Sequence, residues 1–349
     1  MSQCPFFNSR VPLQVERLLS SANNWQFDVF KLADATQDHA LSTLAFFLFH
    51  QADLIRKFDI KPHLLARFIR RVEDGYRPNP YHSKIHAADV LQSLHVIIHR
   101  GGLSPGYVDP LTLMACYLAA VVHDYEHGGV TNDYLINSSD LLALRYNDRA
   151  PLENHHLAAA FTLLKKPEYA FMSHLPKADT DRLRKMVIEL VLATDMKQHF
   201  AILSHFTTVH RLGAANSVTP SHIVIPLDEN ERILSLQMAL KCSDLGHVSA
   251  SLPVHCRWVQ LLEEEFFRQG DMEKLHSLPV SPLFDRCKPG ITKSQVGFFD
   301  IVVIPLLNCF SRVFSNTKPL LTYTMRNYKY WADLQKMEQA VGNGNTSGK

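Results

Sequence analysis

The chain has 349 residues, of which 46% are hydrophobic and 20% charged, a composition typical of a globular protein and not of a disordered or fibrous one. Its 36 basic and 34 acidic residues leave a net charge of +2, and no run of basic residues exceeds two. This balance gives no electrostatic reason to expect a nucleic-acid polymer or an anionic membrane as partner. The 19 histidines are the one unusual count, because histidine is the commonest metal ligand and titrates near neutral pH.

The six cysteines lie far apart and form no C-x-x-C pair. This spacing excludes a cysteine-rich zinc site and favours a reducing, cytoplasmic location. The first ten residues lack the charged-then-apolar pattern of a signal peptide. The longest apolar run, 111–122, falls well short of the roughly twenty residues that a bilayer span needs, so we expect no membrane span and a buried helix there.

Helical periodicity recurs along almost the whole chain and predicts an all-α fold. Apolar residues at helical spacing predict one helix from Leu41 to Ile55, and Pro62 is placed to open the next. Asp109 is the candidate N-cap of the apolar helix 111–122. Further helices are predicted at about 84–100, 153–165, 179–193, 197–212, 228–243, 252–269, 294–314 and 320–340.

The organisation predicted from these patterns is a compact, multi-helix single domain. The short segment 222–225 is the only strand candidate, and it runs into Pro226. No Gly-, Ser- or Pro-rich linker divides the chain, and no internal repeat is visible. We therefore expect an N-terminal lead-in (1–24), one domain (25–335) and a flexible tail (336–349).

Two clusters of histidine and aspartate predict a metal site. His82 and His86 lie four residues apart, at or near one face of a helix. His123, Asp124 and His127 end the apolar helix, where three polar side chains make poor sense as packing. A lone histidine on such a face is usually a satisfied core residue, but five candidate ligands in two clusters favour a metal ion.

A further carboxylate is needed to complete an oxygen- and nitrogen-rich octahedral site. Asp244 interrupts a strongly apolar helix, and a buried carboxylate is costly unless it is paired or binds metal. Taken alone, Asp244 would more often be a helix-terminal or capping residue. Together with the two clusters it becomes the predicted fourth ligand.

A series of motifs occurs within residues 25–330. In chain order they are Tyr81-His82-x-x-x-His86-Ala87-Ala88-Asp89-Val90, His123-Asp124-x-x-His127-x-Gly129-x-x-Asn132, Leu152-Glu153-Asn154-His155-His156, Leu192-Ala193-Thr194-Asp195-Met196, Glu264-Glu265-Phe266-Phe267-x-Gln269-Gly270-Asp271, Ser281-Pro282 and Ser294-Gln295-Val296-Gly297-Phe298. In this order they resemble the catalytic domain of the class I cyclic nucleotide phosphodiesterases. The pieces 146–149 and 254–258 look closest to the calmodulin-stimulated class.

The resemblance implies the fold and the reaction of that family. The fold is the all-α type of the His-Asp metal phosphohydrolases, and the reaction opens the 3',5'-cyclic phosphodiester of cyclic AMP or cyclic GMP with a hydroxide activated by two metals. One ion is a tightly held Zn²⁺ and the second is Mg²⁺ or Mn²⁺, with Asp124 as the bridge. The ligands of the tight ion match His86, His123, Asp124 and Asp244.

Other residues receive roles through the same resemblance. His82 matches the general acid, a role suited to a histidine that lies beside the metals without binding them. The residues that hold the metal-bound waters match His127, Glu153 and Thr194, and His127 is also a catalytic candidate. The purine pocket matches Gln295, Phe298, Leu262 and Phe266, with His247 near the base. Without the resemblance, Gln295 and Phe298 would be interpreted as part of an amphipathic core helix.

Two other functions stay open. One is a different His-Asp phosphohydrolase acting on nucleotides or linear esters, against which the Gln295–Phe298 pair argues. The other is a catalytically inactive nucleotide-binding or scaffolding module, against which the complete set of metal-centre residues argues. A glutamine amide can present either face to adenine or guanine, so we expect both cyclic nucleotides to be hydrolysed. Residues 1–24 show no calmodulin-binding helix, no regulator is predicted from this chain, and a homodimer stays open.

Overall fold

The computed structural model describes residues 13–214 and 225–344, and within those ranges it contains no β-strand. The predicted all-α fold is therefore confirmed. The α-helices, joined by short loops and 3₁₀ turns, are α1 Leu13–Ser20, α2 Val29–Ala35, α3 Ala40–Gln51, α4 Leu54–Lys57, α5 Pro62–Gly75, α6 Lys84–Arg100, α7 Pro110–Val122, α8 Asn132–Asn137, α9 Leu141–Arg145, α10 Pro151–Leu164, α11 Lys177–Leu192, α12 His199–Ala214, α13 Glu229–Asp244, α14 Leu252–Leu275, α15 Gln295–Phe298, α16 Ile304–Val313 and α17 Lys318–Gly344.

The helices that carry the histidine and aspartate clusters lie at the centre of the domain. Every residue of α7 from Leu111 to Val122 is buried, as its continuous apolar sequence predicts. α7 packs along α11 and α6, and α6 packs on α13. This packing places the C-terminal end of α7 against α6 and α13. The clusters from distant parts of the sequence therefore lie side by side.

Side-chain caps determine where two of these helices begin. Asp109 Oδ1 accepts a hydrogen bond from Thr112 N at 2.8 Å, and Pro110 occupies the first turn of α7. Asp228 caps α13 in the same way through Glu231 N at 2.8 Å. The N-cap predicted for Asp109 is confirmed, and it satisfies a backbone donor that the first turn of a helix leaves unpaired.

Two predicted helices are interrupted in the structure. The segment 41–55 forms α3 and α4, which are separated at Asp53, where the backbone adopts the left-handed conformation (φ 59°). The segment 294–314 forms α15, a π-helical turn at Phe299–Val303, and α16. Apolar spacing does not reveal these breaks, because the sequence keeps helical periodicity on both sides of each one.

The structure also differs from the predicted ends of the domain. α1 lies inside the lead-in, and its Val15 and Leu19 are buried in the main core. α17 continues to Gly344, although the tail was expected to begin at residue 336. Residues 335–340 are exposed, and this part of the helix has no apolar stripe from which a helix could be predicted. Most of the strand candidate, 222–224, lies outside the described residues.

One helical segment of the described chain, Ile291–Val313, is long and apolar enough by length and composition to cross a membrane, with a mean hydropathy of 1.7. A core helix of a globular protein passes the same test, so this is a weak indication. Here the segment is a succession of 3₁₀, α and π turns and includes Gln295 and Phe298. The expectation that no segment spans a membrane stays a prediction.

Replacing Asp109 by Ala removes the cap of α7, and we expect the free energy of unfolding to fall by about 1–2 kcal/mol. Arg182, which binds the same carboxylate at 2.8 Å, loses its partner as well. Urea unfolding of the variant measures the effect. The control is Asp181→Ala, which breaks only an exposed pair with Lys177 and should cost about 0.5 kcal/mol or less. Equal losses in the two variants would contradict the role of the cap.

Candidate active site

Four polar side chains from three helices converge at the C-terminal end of α7. His86 lies in the first turn of α6, His123 and Asp124 directly follow α7, and Asp244 is the last residue of α13. One nitrogen or oxygen atom from each residue falls within 4.8 Å of the others. The structure therefore brings the four predicted metal ligands together.

The spacing of these atoms fits a shared metal ion. His86 Nε2 lies 3.1 Å from Asp244 Oδ1 and 3.6 Å from Asp124 Oδ2. His123 Nε2 lies 3.1 Å from Asp124 Oδ2 and 3.4 Å from Asp244 Oδ1. Bonds of about 2.1 Å to one ion place neighbouring donors about 3.0–3.4 Å apart. Despite their proximity, His123 Nε2 and Asp124 Oδ2 are buried and make no hydrogen bond to a described residue, which suits atoms that bind an ion.

The protonation states of Asp124 and His86 also suit a metal ion. Burial raises the pKa of Asp124, but His123 and His82 outweigh burial and hold that pKa well below its ordinary value. Burial lowers the pKa of His86, so its ring is neutral. Metal ions bind ionised carboxylates and neutral imidazoles. Burial lowers the pKa of His123, but the adjacent carboxylates outweigh burial and raise it well above its ordinary value, so a metal ion would displace a proton from this ring. His123 is oriented by a hydrogen bond of 2.9 Å from its Nδ1 to Ala120 O, which leaves Nε2 for the metal.

A second group, formed by Asp124, His127 and His156, adjoins the first. Gly129 N donates to His127 Nδ1 at 3.0 Å, so the ring proton of His127 lies on Nε2. Gly129 has a φ of +73°, and a Cβ at this position would lie 2.8 Å from Asn79 Oδ1. Burial lowers the pKa of His127 well below its ordinary value. His127 is thus a neutral ring whose Nε2–H group is available to a ligand.

His82 is paired with a buried glutamate. His82 Nδ1 donates to Glu265 Oε1 at 2.5 Å, while Glu265 Oε2 accepts the backbone N–H groups of Tyr81 and His82 at 2.8 and 3.0 Å. Burial by itself lowers the pKa of His82, but Glu265 and Asp124 outweigh burial and raise it to about 9. The His82 ring stacks on His127 with centroids 4.1 Å apart. The raised pKa favours the protonated form of His82, at the edge of the cluster of candidate metal ligands.

Glu153 and Thr194 line the same cavity. Asn132 Nδ2 donates to both carboxylate oxygens of Glu153, at 2.9 and 3.2 Å. Burial, helped by nearby Asp195 and opposed by the Asn132 hydrogen bonds, raises the pKa of Glu153 to about 7. Thr194 Oγ1 donates its proton to Val191 O at 2.8 Å, so its lone pairs can accept a hydrogen bond from a water molecule.

The cavity that these side chains line has a volume of about 410 Å³, in the range of small-molecule sites. Its apolar wall includes three residues of the predicted purine pocket, Phe298, Leu262 and Phe266. Phe266 stacks on Phe284 with centroids 4.1 Å apart, and this contact fixes the orientation of the Phe266 ring. The cavity therefore combines polar and apolar lining residues, as a phosphate ester of a planar base requires.

Gln295 and His247 are buried and do not line this cavity. Gln295 lies one turn before Phe298, its Nε2 donates to Ile291 O at 3.1 Å, and its Oε1 makes no hydrogen bond to a described residue. His247 stacks on His255, with the two Nδ1 atoms 3.1 Å apart. Contact of either side chain with a base stays a prediction.

Two residues of the site have no role in the sequence-based prediction. Glu265 lies in a motif on α14, but nothing local links it to His82, which is 183 residues away. His156 donates from Nδ1 to Tyr125 O at 2.6 Å, and its Nε2 lies 3.9 Å from Asp124 Oδ1. The available signal for His156 was its position three residues after Glu153 in one motif.

Residues 81–324 match the family model described as 3'5'-cyclic nucleotide phosphodiesterase. The chain belongs to this family. It is 42% identical, over 86% of its length, to the dual specificity calcium/calmodulin-dependent 3',5'-cyclic nucleotide phosphodiesterase 1 of Drosophila melanogaster. It is 37% identical, over 88% of its length, to a probable 3',5'-cyclic-AMP phosphodiesterase of Caenorhabditis elegans. The chain spans 34% and 45% of the lengths of these two relatives.

A solved structure agrees over nearly the whole fold. The phosphodiesterase domain of the RhoPDE fusion protein from the choanoflagellate Salpingoeca rosetta aligns with a TM-score of 0.84 at 28% identity, covering 93% of this chain and 99% of that one. The predicted resemblance to class I phosphodiesterases is thus confirmed. The phosphodiesterase family is metal-dependent, and the His86–His123–Asp124–Asp244 cluster is where this member could hold a metal.

Replacing Glu265 by Gln removes the negative charge beside His82 with little change of shape. Because that charge raises the pKa of His82, we expect the pKa to fall by about 1–3 units. If His82 acts as a protonated acid, the alkaline decline of kcat then moves to lower pH by the same amount. The control is Glu264→Gln, which alters only surface pairs with Arg268 and Arg286. An alkaline limb that does not move in Glu265→Gln would contradict the pairing.

Proposed function

We propose that this chain hydrolyses the 3',5'-cyclic phosphodiester of both cyclic AMP and cyclic GMP to the 5'-monophosphate and so terminates cyclic nucleotide signals. The observation that carries the proposal is one cavity containing the four-donor cluster, the His82–Glu265 pair and the apolar wall around Phe298. A metal cluster alone would suit many phosphohydrolases. A proton donor on one side and a flat apolar wall on the other suit a cyclic ester that carries a base.

The four-donor cluster would hold the tight Zn²⁺, and Asp124 would also contact the second ion, Mg²⁺ or Mn²⁺. Two divalent ions held there would offset the charge of the phosphate and would make hydroxide available at neutral pH. His127 would donate from Nε2 to a water of this centre. Glu153 and Thr194 would accept hydrogen bonds from such waters and orient them.

His82 would supply the proton that the reaction requires. Attack by the hydroxide oxygen on phosphorus breaks the P–O3′ bond, and the departing O3′ is a poor alkoxide leaving group unless it is protonated. His82 donates from Nδ1 to Glu265, so its Nε2 proton is the one available to O3′. Glu265 fixes the ring orientation and keeps the imidazolium charged until the transfer.

Recognition of both purines follows from the chemistry of Gln295. Its Oε1 can accept from the N6 amino group of adenine or from N1–H of guanine, and the second hydrogen of its Nε2 can donate to adenine N1 or guanine O6. Phe298 would stack on the ring from the same short helix. The Drosophila relative named a dual specificity enzyme supports the inclusion of cyclic GMP.

The proposed setting is the cytoplasm, where both substrates act. All the cysteines that the structure describes are free, which suits a reducing compartment: Cys116, Cys242, Cys256, Cys287 and Cys309.

The proposal is tested by measuring initial rates on cyclic AMP and on cyclic GMP, with and without Mg²⁺. The zinc content of the protein is determined first. Bis(p-nitrophenyl) phosphate serves as a linear diester control. We expect hydrolysis of both cyclic nucleotides, dependence on the added ion, and little hydrolysis of the linear ester. Preference for the linear ester would indicate a different phosphohydrolase. Zinc-loaded protein without turnover would indicate an inactive nucleotide-binding module.

Two substitutions separate the proton donor from the metal ligands. Asp244→Asn should lose both zinc and activity, because it removes a ligand. His82→Ala should retain zinc and lose turnover by about 10²–10⁴-fold, the usual contribution of general acid catalysis. Elemental analysis and kcat measure the two effects. If His82→Ala lost zinc as completely as Asp244→Asn, the division of roles would be wrong.

Replacing Gln295 by Ala should raise KM for both purine cyclic nucleotides more than it lowers kcat, because the side chain is proposed to bind the base and not the reacting atoms. Lys293→Ala, which removes an exposed pair with Glu338 just before α15, is the control and should leave KM unchanged. Steady-state kinetics on both substrates measure the effect. An unchanged KM in Gln295→Ala would remove this residue from the pocket.

A further inference from the structure

A buried lysine beside the cavity has no part in the mechanism above. Lys241 lies on α13 one turn before Asp244 and is 2% exposed. Its Nζ donates to Ala193 O at 3.1 Å. A buried ammonium group is costly unless its donors and its charge are matched, so a lysine at this position calls for a specific partner.

The partner of Lys241 is the carbonyl group at which α11 ends. Ala193 is the C-cap of α11. The last carbonyl groups of a helix receive no hydrogen bond from its own backbone, and their partial negative charge favours a nearby positive charge. The next residue is Thr194, whose backbone N and Oγ1 both donate to Val191 O, at 3.0 and 2.8 Å. The Thr194 side chain is thus anchored to the same helix end that the ammonium group holds.

We propose that Lys241 is a positioning residue. By binding Ala193 O, it holds the end of α11 against α13 and so keeps Thr194 at a fixed distance from Asp244 at the metal centre. The inference rests on the role of Thr194 in the proposed function. Asp244 and Thr194 come from different helices, and the Lys241–Ala193 hydrogen bond directly links those helices beside both residues.

The surroundings explain why a lysine serves here. Burial lowers the pKa of Lys241, whereas Asp244, Asp195 and Glu153 oppose this shift. The positive charge of Lys241 is therefore favoured by nearby carboxylates of the cavity wall as well as by the helix end. A neutral side chain could replace the hydrogen bond but not this charge.

The chain contains a matched control for this contact. Gln237 Nε2 donates to Glu189 O at 3.0 Å and joins the same two helices four residues earlier in each. Neither Gln237 nor Glu189 lines the cavity. Loss of the Gln237 contact should therefore report on packing of α11 against α13 without changing the position of Thr194.

The test measures binding of Mn²⁺, as a probe of the second metal site, to the zinc-loaded 349-residue chain by electron paramagnetic resonance. Lys241→Met should retain zinc and bind Mn²⁺ about tenfold more weakly, the usual effect of losing a residue that orients a metal site. Lys241→Arg should restore most of the affinity. Gln237→Met should lower Tm but leave Mn²⁺ affinity unchanged.

A double-mutant cycle with Thr194→Ala identifies the route of the effect. If Lys241 acts through Thr194, Lys241→Met should weaken Mn²⁺ binding little further in the Thr194→Ala background. Fully additive losses, or Mn²⁺ binding of wild-type strength in Lys241→Met, would overturn the inference. If Lys241→Met does not fold, Lys241→Gln enters the same cycle with the same expectations, because its neutral amide nitrogen is one bond closer to the backbone than Nζ and falls short of Ala193 O.

The same data separate this inference from the proposed function. Wild-type protein that neither binds Mn²⁺ nor hydrolyses cyclic nucleotides would overturn both. Weakened Mn²⁺ binding in Thr194→Ala, combined with unchanged binding in Lys241→Met and Lys241→Gln, would overturn the inference about Lys241 alone.

Discussion

The burial of Asp124 and Asp244 is the constraint on which the rest of this structure depends. Burial by itself raises the pKa of both carboxyl groups, and they stay ionised because histidines lie beside them. His123 and His82 lower the pKa of Asp124, and His123 and His86 lower that of Asp244. The ends of α6, α7 and α13 must therefore meet at one point. A shift of one helix by a single turn, about 5.4 Å, exceeds the 4.8 Å that contains all four donors. Packing of α7 on α6 and α11 is the precondition of the site.

The same dependence explains which parts of the site could be predicted from the sequence. His123, Asp124 and His127 are neighbours within one turn after α7, so their spacing is a local pattern. Asp244 could be predicted because its carboxylate interrupts an otherwise apolar helix. Contacts such as His82 with Glu265 join residues 183 positions apart, and they arise only when α14 packs against the loop before α6. No periodicity within either segment carries that information.

The fold shows the same division between local and tertiary determinants. The apolar run of α7 and its cap at Asp109 are local, and both were predicted correctly. The break at Asp53 depends on a single residue with a left-handed backbone, and the π-helical turn at Phe299–Val303 adds one residue to a helical turn. Both leave the apolar spacing nearly intact, and the second directly follows Phe298, the aromatic residue of the cavity wall.

The stacked pair of His82 and His127 shows how the fold assigns different chemistry to identical side chains. Two imidazolium rings with centroids 4.1 Å apart would repel each other, so the pair favours a single proton. Burial disfavours charge on both rings. Glu265, which is hydrogen-bonded to His82, compensates burial more at His82 than at His127, and the charge on His82 further opposes a charge on His127. Gly129 N, which donates to His127 Nδ1, is compatible only with the neutral ring. A protonated and a neutral histidine thus arise from the position of one carboxylate and one backbone N–H group.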